Sequence, residues 1–348
     1  MLNQQLMIKS FIVEVLLFFN ILISYLGLYA IPPYILYTVI PLNFLTILLF
    51  EKLEIKGAFF VSIIFALLIF FLVYANNTEY IIIFSLALLC SKIRYSSLIK
   101  NLWLYVSGLL LLFIVVRYPE HAIYIRGDGT PRFDLGFNNP NILAKYAFGC
   151  IVITLIYNKR VLALTLTLLF FFVSGSRTLL YCLLLYPVLM LYISNARLNS
   201  FLVKFPILSI FPLLTLLSVF LAEYSKEYTY IDILLSFRPM HWINYLETYP
   251  ISLFGYAWDP LDYYVLDNSF LQIMVRLGLV GIAIISLLYA WLLNQLIERR
   301  NEKLIYCVVA TLIYSVFENM LKYPLFNIAT VLSIVYILKV ESTKEQYG

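Results

Sequence analysis

Apolar runs of bilayer-spanning length recur from one end of this chain to the other, and they restrict the fold more than any other feature. The first runs from Phe11 to Ala30, and others follow near 31–50, 58–75, 78–91, 98–116, 141–157, 161–174, 178–194, 205–222, 268–293, 304–317 and 324–339. A helix needs about 20 apolar residues to cross a hydrocarbon core. Inside that core every backbone N–H and C=O must be satisfied within the protein, which leaves helices and closed barrels. Barrel strands would alternate apolar and polar residues over short segments, and no such alternation is present. The reading is an all-α, polytopic integral membrane protein with about twelve transmembrane helices. It forms one transmembrane domain over residues 1–348, without a separate soluble domain.

Composition agrees. The chain is 63% hydrophobic and 12% charged, with a mean hydropathy of +0.92; soluble domains carry about 25% charged residues. Lys9 followed by an apolar run has the look of a secretory signal, but no small-residue cleavage pattern adjoins it, so it is expected to stay as the first span. Cys90, Cys150, Cys182 and Cys307 all lie inside apolar runs, which argues against a disulfide framework and against a zinc site. The net charge of +5 suits loops facing anionic lipid better than nucleic acid.

Lys and Arg in the loops set the orientation. With the N-terminus inside, fifteen of the 24 fall in cytoplasmic segments, seven outside, and Lys145 and Arg276 within spans. Both termini are therefore expected in the cytoplasm. The outside set is rich in arginine: Arg117, Arg126, Arg132, Arg177 and Arg238 against Lys226 and Lys322. Guanidinium offers a planar fork of donors that matches phosphate, which plain topology signals do not need. Two outside loops are long, 117–140 and 223–267, and loops of that length are usually functional or disordered. Arg, Tyr and Trp with Pro punctuation favour function here.

Four stretches stand out. In "RFDLGFNNPN", residues 132–141, Asn139 is placed to cap the sixth span and Pro140 to occupy its first position. Capping accounts for the amides but not for the arginines around them. In "SGSRTLL", residues 174–180, Gly175 makes a turn and Ser176 can cap the eighth span, which puts Arg177 in a first helical turn. A cation is disfavoured there unless an anion joins it. In "LLSFRPMHWINYLETYP", residues 234–250, Ser236 can cap a short helix, Arg238 again lies at its start, and Pro250 ends it. Trp242, Ile243 and Leu246 would let this helix lie on the membrane surface. His241 reads as a polar tip at the interface, and His121 has no partner in sequence, so the two histidines make no metal motif. In "LDNSFLQIMVRLGLVG", residues 266–281, Asp267 or Asn268 caps the tenth span, and Arg276 lies about two turns inside it. A charge within a span marks a functional site by default. Glu318 and Lys322 can pair at i, i+4 and are expected to be structural.

The order of these stretches resembles the O-antigen polymerase and ligase superfamily, most closely the Wzy-type polysaccharide polymerases. Arg132 with its Pro-Asn turn comes first, then Ser176-Arg177, then Arg238 with Trp242 and Leu-Phe-Gly-Tyr at 253–256, then Asp267-Asn268 and Gly278-x-x-Gly281. The motifs cover roughly 117–281. The resemblance implies a GT-C-like membrane glycosyltransferase in the bacterial cytoplasmic membrane, with its active site on the outer face. It implies glycans linked to undecaprenyl pyrophosphate as donor and acceptor, no cofactor, no metal and no nucleotide sugar. It also implies a flippase and chain-length regulator proteins as partners. Related ligases carry His where this chain has Asp267, which favours the polymerase reaction.

On that reading Asp267 orients or deprotonates the acceptor hydroxyl, and Arg177 and Arg238 stabilise the pyrophosphate leaving group. Arg126, Arg132, Arg276, Asn268, Trp242, His241 and Tyr256 line the substrate. The chemistry is consistent with this independently: cleaving a glycosyl–pyrophosphate bond needs cations on the leaving group, and without an acidic metal cluster arginine is the available one. Many outside aromatics also suit an interfacial belt. The rivals are ligase-type transfer to another acceptor, a transporter of lipid-linked sugars, and a non-catalytic membrane scaffold.

Overall fold

The computed structural model describes residues 2–26, 42–43, 45–46, 79–125, 129–195, 201–228, 230, 235, 238–256, 266–321 and 323–345. The chain is mostly helical. Its helices are α1 (Leu2–Leu26), α2 (Glu79–Cys90), α3 (Tyr95–Arg117), α4 (Pro140–Ile156), α5 (Arg160–Ser174), α6 (Arg177–Asn195), α7 (Phe201–Leu208), α8 (Ile210–Tyr224), α9 (Arg238–Thr248), α10 (Ser269–Glu298), α11 (Glu302–Phe317) and α12 (Ile328–Glu345). Among the described residues, Tyr95–Glu120 and Ser269–Glu298 are long and apolar enough to cross a membrane, and several shorter helices are as apolar. The second and third expected spans, 31–50 and 58–75, lie outside the described residues except at 42–43 and 45–46.

One departure from an all-helical chain lies between α3 and α4. There β1 (Ile123–Ile125) pairs antiparallel with β2 (Pro131–Phe133), Tyr124 opposite Arg132. The expected ninth span, 205–222, is a second departure: it divides at Ser209 into α7 and α8. Pro212 supplies the reason, since it has no N–H to give to the carbonyl of Leu208. The last span begins later than expected, at Ile328, after a turn over 324–327.

Contacts divide the chain into two compact units. The first comprises Met1–Ser62, Glu79–Tyr186 and Tyr323–Gly348, the second Ile63–Thr78 and Pro187–Lys322. In the first unit α3, α4 and α5 pack as successive antiparallel neighbours, and α12 packs on α2, α3 and α4. Its core is aromatic. The Tyr25 and Tyr146 rings stack at 4.5 Å, Tyr146 meets Phe326 edge-on at 5.0 Å, and Phe137 reaches in to 5.1 Å from Tyr146. The buried tyrosine hydroxyls are satisfied, Tyr25 donating to Val106 O at 2.8 Å and Tyr146 to Tyr25 O at 3.1 Å. Asn20 and Asn43 exchange amide bonds at 3.1 Å, and Asn43 also donates to Ser85 Oγ. Such polar pairs tie helices together where apolar burial gives no preference between helix and lipid.

In the second unit α10 packs against α7, α8 and α11, and α8 carries α9. The apolar face of α9 turns inward: Trp242, Ile243 and Leu246 are buried in the protein. The sequence reading laid those residues on the membrane surface; packing on α8 takes them instead.

Helix α10 is broken at Gly278, whose φ of 67° and ψ of −170° are open essentially only to glycine. The segment 252–256 fills the break. Leu279 N–H donates to Ser252 O at 3.0 Å, Val280 N–H to Leu253 O at 3.1 Å, and Tyr256 N–H to Val275 O at 2.9 Å. A Cβ on Gly255 would lie 2.3 Å from the Arg276 carbonyl, so both glycines are needed for this approach. The half-helix before the break, Ser269 to Leu277, is buried throughout.

Candidate functional site

The candidate residues fall into two groups, one in each unit. In the first unit the loop 117–139 gathers the ends of four helices. Phe137 anchors it in the aromatic core, and Asp134, fully buried, accepts the N–H groups of Ala122 at 2.8 Å and Gly136 at 3.0 Å. Asn139 caps α4 as the sequence suggests, its side chain accepting Asn141 N–H at 2.8 Å beside Pro140.

Arg132 leaves β2 toward the end of α5. Its Nε donates to Ser174 O at 2.6 Å, and a terminal nitrogen donates to Asn141 Oδ1 at 2.5 Å. A guanidinium on the last carbonyls of a helix complements the negative end of its dipole. Gly175 then turns the chain in the left-handed conformation, φ 61°, and Arg177 is the first residue of α6. The predicted turn is therefore present, and it brings Arg132 and Arg177 to one place. Arg126 lies outside the described residues. His121 stacks on Tyr118 and its Nδ1 lies 2.8 Å from the Tyr118 carbonyl.

In the second unit the centre is Arg238, the first residue of α9. One terminal nitrogen donates to Glu318 Oε1 at 2.6 Å and the other to the carbonyl of Phe317, at the end of α11. The pair is enclosed: the side chains of Arg238 and Glu318 are 15% and 3% exposed. Burial works against the charge on Arg238, but Glu318 and then Asp267 outweigh it and lift its pKa above the ordinary arginine value. Glu318 thus pairs with a residue that opens a different helix. Lys322, its expected partner, lies outside the described residues.

Asn268 and Ser269 hold this cluster to α10. Asn268, fully buried, caps the helix by accepting from Phe270 N–H at 2.9 Å and Leu271 N–H at 3.0 Å, and it donates to Ser218 Oγ on α8 at 2.9 Å. Ser269 Oγ donates to Glu318 O at 3.0 Å and accepts the N–H groups of Met320 and Leu321. Of the two candidates for the cap, Asn268 fills the role and Asp267 does not. Asp267 stands just ahead of it, half-buried, acting electrostatically on Arg238.

The remaining candidates occupy varied settings. Trp242 is 1% exposed and packs as core, whereas His241 is on the exposed face of α9. Tyr256 is half-buried, its ring 5.7 Å from that of Tyr249. Arg276 is buried in the half-helix before the Gly278 break. Among the described residues no group of His, Cys, Asp and Glu has the composition to hold a metal ion. Sequence reasoning missed Glu318, Ser269 and Ser218. Glu318 carried a signal, an acid closing an apolar helix, but a local partner in sequence, Lys322, drew the reading toward a structural pair.

Comparison with protein-family models, with curated proteins and with solved structures finds no match to this chain.

Proposed function

We propose that the protein is a multi-pass membrane glycosyltransferase of about twelve spans that polymerises lipid-linked oligosaccharide repeat units on the outer face of a bacterial cytoplasmic membrane. The observation that carries this reading is the placement of the arginines. Arg132 and Arg177 share the turn from α5 to α6, and Arg238 opens α9 beside Asp267 and Glu318. All lie on segments that the loop charges assign to the outside. In the first unit Arg177 is the residue for a lipid-linked pyrophosphate, at a helix start whose dipole favours an anion. In the second unit Arg238 has donors beyond those given to Glu318 and Phe317, since guanidinium has five, and these suit a developing anionic charge. Asp267, relieved of capping by Asn268, accepts the proton of the attacking hydroxyl.

The test is polymer formation from purified lipid-linked repeat units. Arg177→Lys keeps the charge and loses the fork, so polymer is expected to fall sharply while the protein stays in the membrane at its normal level. Full activity in that variant would remove Arg177 from the reaction.

A second reading, a transporter of lipid-linked sugars, draws on one specific observation: α10 is interrupted at Gly278, and transporters build their sites on broken helices. Proteoliposomes separate the two. A polymerase lengthens the glycan, and a transporter moves it across the bilayer at unchanged length.

A further inference from the structure

We propose that the β1–β2 hairpin is seated in the membrane surface, its apolar edge in the boundary between headgroups and acyl chains. The proposal rests on the reading of α3 as a transmembrane helix. Strand residues alternate between two faces. One face of the ribbon is polar, with Tyr124 opposite Arg132 and its hydroxyl donating to Asn138 O; the other presents Ile123, 58% exposed, and Ile125, 77% exposed.

The neighbouring surface explains what covers these residues. The last turns of α3, which lead into the hairpin, expose Leu111, Leu112, Val115 and Val116. Tyr118 follows, half-exposed, where a belt of aromatic residues marks the edge of a bilayer. β2 packs on α5, whose last turns expose Leu169 and Phe172. Between the end of α3 and β1 the Arg117–Glu120 pair and exposed His121 make a polar step. A bilayer edge accommodates both, with charged side chains among the headgroups and Ile123 and Ile125 in the boundary beneath them.

Seating has a consequence for the candidate site. Arg132, opposite Tyr124 in the hairpin register, is fastened to Ser174 O and Asn141. A hairpin held about 5–10 Å into the boundary fixes that guanidinium at the level of lipid phosphates, which is the level of a lipid-linked pyrophosphate.

The experiment uses the full chain in liposomes with Ile125→Cys carrying a polarity-sensitive dye. The four native cysteines are buried and compete poorly for the label. Leu112→Cys on α3 is labelled in parallel. With brominated lipids both dyes are expected to lose fluorescence, the dye at 125 most strongly when bromine lies near the headgroup end of the acyl chain. Ile123→Cys, with the same expectation, replaces Ile125→Cys where that variant does not fold. If the dye at 112 is quenched by lipid while the dye at 125 is quenched by aqueous iodide, the hairpin stands in water and the proposal fails. If neither quencher reaches 125 while 112 is quenched by lipid, protein covers the hairpin and the proposal also fails. If the dye at 112 escapes the lipid too, α3 is outside the bilayer, and the membrane reading falls together with the proposal.

Discussion

Arg238 opens one helix and is held by the end of another. The positive end of α9 disfavours its charge, but the closing carbonyl of α11 and the Glu318 carboxylate draw it in. Arg132 repeats the arrangement at the end of α5. The pair Arg238–Glu318 is largely out of water, and removing one partner of a buried pair costs about 3–5 kcal/mol because the other charge is left uncompensated. Glu318→Gln is therefore expected to lower the melting temperature of the detergent-solubilised protein markedly; an unchanged melt would mean that Arg238 finds compensation elsewhere, with Asp267 the nearest source. Asp267 itself is open to a sharper test. Because Asn268 makes the cap, Asp267→Asn removes no helix-capping bond and should lower the melt less than Glu318→Gln, by the charge it withdraws from beside Arg238. If Asp267 is the base, the rate of polymer formation falls about 10²–10⁴-fold. Wild-type rate in a stable variant would remove Asp267 from the chemistry.

At the scale of elements, the break in α10 depends on Gly278. A Cβ there would lie 2.3 Å from the Leu253 carbonyl oxygen, and the backbone conformation is strained for any other residue by about 1–3 kcal/mol. Gly278→Ala should push segment 252–256 off the helix and release the Leu279 and Val280 N–H groups. Faster proteolysis around 251–256 and a lower melting temperature are the expected results; unchanged resistance to protease would show that the segment docks without the glycine. The sequence shows the two glycines and the Leu-Phe-Gly-Tyr stretch but not that they meet, because the pairing joins residues 19 to 27 apart through backbone atoms that carry no residue-specific mark. Caps are legible in advance for the opposite reason. Asn139-Pro140 and Asn268 act on N–H groups two or three residues away, so their chemistry is local. The inward face of α9 was not legible, since Trp242, Ile243 and Leu246 make the same stripe whether lipid or α8 covers it.

At the scale of the molecule, each unit gathers more of its cations at one end. In the first unit Lys159 and Arg160 lie at the turn from α4 to α5, and Trp103, near the start of α3, packs on Tyr157 there, which places Lys92 and Arg94 at the same end. Arg117, Arg132 and Arg177 lie at the other end with Glu120 and Asp134. In the second unit Arg299, Arg300 and Lys303 lie where α10 turns into α11, and Lys204 reaches Glu298 at 3.9 Å. Arg238 and Lys226 lie at the opposite end among Glu223, Glu247 and Glu318. Clustered Lys and Arg mark cytoplasmic ends, because they resist translocation while acids contribute little. Each unit is thus expected to turn its cation-richer end to the cytoplasm. Single cysteines at Glu120 and Glu227 should react with an impermeant maleimide in intact cells, and cysteines at Lys159 and Arg300 only after permeabilisation. Reaction of Lys159→Cys and Arg300→Cys in intact cells, with Glu120→Cys and Glu227→Cys protected, would reverse the orientation. Arg177 and Arg238 would then face the cytoplasm, where an enzyme has nucleotide sugars at hand and no need to draw its donor from a lipid on the far side.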